Sequence, residues 1–198
     1  MPELRGLALF DFDGTMTTKD TLVEFLKFLK GSSGFYFGMV ILSPMIFLYK
    51  LGIIENWRAK EIMMRFFFGN SSASSFQDSC VHFSKNIENL IKVEALEKIT
   101  FHKSIGDEVF IVSASPENWV KLYGESISVK VIATQLEVKD GKISGKISGK
   151  NCYGAEKVKR IRASINLKDF STIYAYGDSR GDKEMLELAE HPYYRRFY

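Results

Sequence analysis

"ALFDFDGTMTTKDT", residues 8–21, ends an apolar run with two carboxylates one residue apart and follows them with a glycine and a cluster of hydroxyls. In an extended chain alternate side chains share a face, so Asp11 and Asp13 leave the strand 7–10 on the same side. Two like charges that close are costly unless a cation sits between them or one acid carries a proton. The pair therefore points to a metal site or a proton-transfer pair. Gly14 frees the backbone to turn tightly, and Thr15, Thr17 and Thr18 offer hydroxyls and amides to an anion. The competing reading is a strand that runs into an ordinary polar turn, and the rest of the chain has to decide.

Outward from this stretch, Asp20 suits the cap of a helix carrying Leu22, Phe25, Leu26 and Leu29 and closed by Gly31. Helical spacing recurs over 57–68, 74–90 and 92–103, so residues 17–90 are expected to be helical throughout. The period then changes. Strands are expected at 108–115, 129–135 and 171–178, with helices at 117–124, 155–164 and 182–189 and a hairpin over 136–147 that turns at Asp140-Gly141. Alternating strands and helices predict an α/β core, a parallel sheet with helices on both faces, interrupted once by a helical module after the first strand. Ligands collect at the carboxyl ends of such strands, where Asp11 with Asp13, Ser113 with Ser115, and Asp178 with Ser179 fall. Lys157 opens a helix after Asn151 and Gly154.

The 198 residues suit one domain with a large insertion or two small ones. Net charge is only +3, from 27 basic and 24 acidic residues, which argues against nucleic acid as the main partner. Cys80 and Cys152 fit no metal spacing and suit reduced thiols of a cytoplasmic protein. The first twenty residues lack the apolar run of a signal peptide. His82, His102 and His191 form no ligand pair and are expected to be surface or structural.

These motifs, in this order, resemble the haloacid dehalogenase (HAD) superfamily of phosphohydrolases, and its phosphoserine-phosphatase-like branch, subfamily IB. "DFDGT" matches the first motif, "IVSAS" the second, the lysine of "GAEK" the third and "GDSRGD" the fourth. The resemblance implies a HAD-like Rossmannoid core from residues 1–16 and 91–198 and an all-helical cap from 17–90. It implies a Mg²⁺-dependent phosphomonoester hydrolase in which Asp11 is the nucleophile and Asp13 the general acid and base. Ser113, Ala114 and Lys157 would hold the phosphoryl oxygens. Asp11, Asp178 and the backbone carbonyl of Asp13 would hold the metal, with Asp182 in support. Two negative charges on a phosphate monoester, which would repel a carboxylate, make a cation and a lysine necessary on physical grounds too.

Three departures bear on the substrate. Ser113 is followed by Ala114-Ser115-Pro116-Glu117 instead of a Gly-Gly-Phe run, Gly181 stands at the place of an asparagine, and Asp20 replaces a glutamate that contacts the amino acid, so it is a substrate-side candidate. Residues 35–54 have Lys50 as their sole charge. A single span there would separate Asp11 from Ser113, Lys157 and Asp178, so the segment is expected to be buried, a subunit interface, or an interfacial element bent at Pro44 that meets a membrane peripherally. This cap is similar to that of C-type phosphatidylglycerophosphatases, which makes a lipid phosphate the leading substrate. Phosphoserine or another small phosphate ester, and a non-catalytic membrane scaffold on the same fold, are the alternatives. Phosphoryl transfer to an acceptor other than water is a further one. The oligomeric state is left open.

Overall fold

Leu7, Ala8, Leu9 and Phe10 are all fully buried, which places strand β1 (Leu7–Phe10) at the centre of the sheet. In this computed structural model, which describes residues 5–197, Leu7 and Leu9 join one apolar cluster and Ala8 and Phe10 the other. Alternation along one strand thus feeds both faces. Residues 1–4 and 198, the ends of the expected core, lie outside the described residues.

After an irregular turn at Phe12–Met16 come four helices: α1 (Thr21–Ile41), α2 (Ser43–Lys50), α3 (Asn56–Phe68) and α4 (Ala73–Ile87). α5 (Val93–Ser104) leads to β2 (Glu108–Pro116), then α6 (Glu117–Ser126), β3 (Lys130–Thr134), the hairpin β4 (Leu136–Lys139) and β5 (Lys142–Ile147), and α7 (Ala155–Ser164). β6 (Ile173–Gly177), the short α8 (Lys183–Glu187) and β7 (His191–Tyr194) complete the chain. The sheet order is β3-β2-β1-β6-β7, every pair parallel. The fold is a parallel α/β sheet covered on both faces, with a helical insert between β1 and β2.

Three local expectations need correction. Gly31 does not end α1; its φ of 66° and ψ of 166° kink the helix, which then resumes to Ile41. The bend between α1 and α2 is 63° and falls at Leu42, not Pro44, which sits in the first turn of α2 where its missing N–H costs nothing. The last helix is shorter than expected, and its successor β7 adds an edge strand, the position where Pro192 is tolerated.

The hairpin belongs with the insert. Ile143 N–H donates to Ser71 O, Asn70 N–H to Ile143 O, and Ile147 N–H to Glu61 Oε1 at 2.8 Å. Elsewhere His102, 1% exposed, faces Asp107 Oδ2 through Nδ1 and Tyr176 Oη through Nε2. Burial holds its pKa below the usual value, against the pull of Asp107, so its role is structural. Cys80 and Cys152 are buried free thiols.

Candidate active site

β1, β2 and β6 end side by side, and the chain places carboxylates after β1 and β6 and serines at the end of β2. Asp11 follows β1 directly and is 6% exposed. Its Oδ1 accepts from Lys157 Nζ at 2.6 Å; the same ammonium donates to Asp182 Oδ1 at 2.6 Å and to the Val112 carbonyl at 2.7 Å. The three donors of Lys157 are thereby used, which makes a buried ammonium tolerable. Burial opposes its charge, but Asp11 and Asp182 hold its pKa above the ordinary lysine value. Burial pushes Asp11 up to about 8, against the lowering by Lys157. Asp182, also buried, ends below the usual carboxylate value because Lys157 and the Ser179 hydrogen bonds outweigh its desolvation.

Single oxygens of Asp11, Asp178 and Asp182 lie within 4.8 Å of one another. Such a set of hard oxygens suits Mg²⁺. The partners differ in how free they are to ligate. Asp182 Oδ2 already accepts from the Asp178 and Ser179 amides and from Ser179 Oγ at 2.7 Å, with its Oδ1 on Lys157. That wiring suits an acid that orients the loop. Asp178 accepts from Thr15 Oγ1 at 3.1 Å, and its approach depends on Gly14, where an added Cβ would stand 2.6 Å from Asp178 Oδ2.

Asp13 faces the other way. Its Oδ1 accepts from both the amide and the hydroxyl of Thr21 at 2.6 Å, and its Oδ2 from Ser113 Oγ at 3.4 Å. Trp119 Nε1 in turn donates to Thr21 Oγ1 at 3.1 Å. Ser113 Oγ accepts from the Ser115 amide. Asp20 caps α1 by accepting from Val23 N–H. Desolvation by the surrounding atoms, and then the Asp13 charge, raise its pKa.

Three residues at the site escaped the sequence reading. Lys60, on α3, donates to the Ala114 carbonyl at 2.7 Å; burial lowers its pKa against the opposing pull of Asp20 and Asp13. Thr21 holds Asp13, and Tyr153 packs on Gly181. An added Cβ at Gly181 would lie 2.3 Å from the Tyr153 ring, which gives a physical reason for glycine at that place. Of these only Thr21 carried a local signal, its position just after the Asp20 cap. A cavity of about 860 Å³ is lined by Trp57, Ile147, Asn151, Tyr153 and Glu156, and none of the site's aspartates, Ser113 or Lys157 lines it.

A helical insert after the first strand of a parallel sheet, with acids beyond two strand ends, serines on a third and a lysine between them, is suited to phosphoryl transfer. The sequence model of haloacid dehalogenase-like hydrolases matches residues 8–187, and the chain belongs to that family. Protein CicA of Caulobacter vibrioides is 31% identical over 96% of this chain and 86% of its own length. A probable phosphatase of Mycobacterium tuberculosis is 36% identical over 52% of this chain and 36% of its own length. A protein of unknown function from Bordetella pertussis superposes with a TM-score of 0.81 at 25% identity, over 93% of this chain and 87% of that one. A phosphoserine phosphatase solved as a phospho-aspartyl intermediate analogue shares the fold, with a TM-score of 0.65 at 23% identity over 94% and 84% of the two chains.

Proposed function

We propose that this chain is a Mg²⁺-dependent phosphomonoester hydrolase that works through an aspartyl-phosphate on Asp11. The observation that supports it is the buried Asp11 carboxylate paired with Lys157 at 2.6 Å beside the acids Asp178 and Asp182. Asp11 Oδ attacks phosphorus as the bond from phosphorus to the alcohol oxygen breaks, and Asp13 gives that oxygen its proton. Water then attacks phosphorus as Asp13 takes a proton from it, the bond to Asp11 breaks, and inorganic phosphate leaves. Ser113, the Ala114 segment and Lys157 hold the phosphoryl oxygens, and Thr21 keeps Asp13 oriented. Asp11, Asp178 and the Asp13 carbonyl would hold Mg²⁺, whose charge keeps Asp11 ionised and offsets the phosphate's. The catalytic core is taken as residues 1–16 and 91–198 and the cap as 17–90, with the β4–β5 hairpin packed on the cap.

The apolar surface of the cap favours a lipid phosphate as substrate. A small polar ester such as phosphoserine is the second reading, supported by the opposite charges of Asp20 and Lys60, which lie near enough to influence each other beside Asp13. Phosphate release should be measured with Mg²⁺ from a soluble aryl phosphate, phosphoserine, and phospholipids with a monoester headgroup. Release from the aryl ester that disappears on chelation and in Asp11→Asn supports the reaction. No release from any ester would sink it, and a higher kcat/KM on phosphoserine than on the lipids would select the second reading.

A further inference from the structure

The cap carries an apolar elbow that the rest of the molecule leaves uncovered. Beyond the kink at Gly31, Tyr36, Phe37, Val40 and Ile41 form an outward stripe on α1, with Phe37 69% and Val40 70% exposed. After the 63° turn, α2 buries none of its eight residues, and Phe47, Leu51 and Ile53 stand open to solvent. A surface of that size and composition needs a partner.

Charge and shape select the partner. From residue 25 to 54 there is no acid and there are three lysines. Lys27 is held by Glu24 at 2.7 Å, whereas Lys30 and Lys50 flank the uncharged run and are exposed. Glu55, at the far end beside Trp57, is paired with Arg58 at 3.7 Å, so the charge bordering the apolar face is net positive and complements anionic headgroups over acyl chains. A second copy would bring the same lysines against each other around a two-fold axis. α2 packs Met45 and Ile46 partly against the cap core and leaves Phe47, Leu48 and Leu51 outward, so the end of α1 and α2 present their open apolar side chains on the two arms of a bend that the acyl region of a leaflet accommodates. Tyr36, Tyr49 and Trp57, aromatic with polar tips, are exposed along the elbow and its approach to α3. Among the described residues no single helix is long and apolar enough to cross a membrane. α2, at about 12 Å, covers less than half of a hydrocarbon core of about 30 Å.

We propose that the elbow formed by the end of α1, α2 and the turn to residue 54 seats in one leaflet of an anionic phospholipid bilayer, with Lys30 and Lys50 among the headgroups and the carboxylate site outside the hydrocarbon. This stands independently of the catalytic reading. The test uses the full chain with vesicles of phosphatidylcholine alone and of phosphatidylcholine mixed with phosphatidylglycerol, read by co-sedimentation. The wild type should pellet with the mixed vesicles and at least about tenfold less with the neutral ones. F37D combined with F47D should lose the binding while keeping hydrolysis of a soluble aryl phosphate, and K30A with K50A should lose the anionic preference. In the unaltered chain, acyl-chain bromines should quench a fluorescence component that W57F lacks, a readout free of any folding defect in the Asp variant. Wild type that stays in the supernatant with mixed vesicles overturns the proposal. So does a folded Asp variant that binds like wild type. A concentration-dependent dimer that the Asp variant splits, without vesicle binding, would assign the elbow to a second copy instead.

Discussion

Burial pushes the Asp11 carboxyl up to about 8 against the lowering by Lys157, and this single residue links metal binding to pH. A hard cation binds the ionised carboxylate, so each Mg²⁺ bound below that pH should release a proton. The sign follows from the raised value: affinity should climb by up to about tenfold per unit as pH rises toward 8, then level off. Titration calorimetry in buffers of different ionisation enthalpy would show it, and an affinity flat from about pH 6 to 8 would mean that Lys157 already keeps Asp11 ionised. Asp11→Asn should lower kcat by at least about a thousandfold with the melting temperature nearly unchanged, because the amide keeps the volume and Lys157 keeps Asp182 and the Val112 carbonyl. Residual turnover within tenfold of wild type would refute the nucleophile assignment. At Gly181 the neighbouring Tyr153 ring decides the outcome of a substitution: Gly181→Asn should destabilise by about 1–3 kcal/mol by forcing the ring away, and Tyr153→Ala should relieve part of that loss in a double-mutant cycle.

At the scale of an element, α1 shows how one residue redirects a helix. Gly31 holds φ 66° and ψ 166°, a region essentially closed to other residues, while nothing lies within 4 Å of where its Cβ would be. The cost of substitution there is therefore backbone strain alone. Gly31→Ala should destabilise by about 1–3 kcal/mol in chemical denaturation, and a change within a few tenths would mean that α1 runs straight through the kink in solution. The two halves of the helix differ in their surroundings as well. Leu22, Phe25 and Leu26 precede the kink and are buried; Phe37, Val40 and Ile41 follow it and are exposed. Periodicity alone located the break but not its result, because an exposed and a buried apolar stripe have the same spacing.

Across the whole molecule, the β4–β5 hairpin ties the sheet to the insert. Its amides at Ile143 and Ile147 bond to Ser71 and Glu61, so they should exchange with solvent together with those of α3 and α4 rather than with those of β2. Hydrogen exchange at single-residue resolution would decide, and early exchange of the hairpin with α3 still protected would show that the two move apart. Most strands were legible in the sequence because a buried parallel strand is a short continuous apolar run, as at residues 7–10 and 109–112. β7 was not, since "HPYY" has neither that run nor an uninterrupted set of amide donors, and pairing with β6 is what makes it a strand. Three acids of the site were legible for a related reason: Asp11, Asp13 and Asp178 each follow a strand, and a strand's direction alone carries its end to the edge where ligands gather, whereas Asp182 came from the family resemblance. Lys60, Thr21 and Tyr153 had no such guide. Lys60 meets the Ala114 carbonyl across 54 residues of sequence, through a helix orientation that packing sets. Local periodicity and turn chemistry thus determined the elements and the carboxylate centre from the sequence by itself. Only the tertiary structure decided which cap residues face that centre and which apolar surface stays open, because both depend on how separate elements fill space against one another.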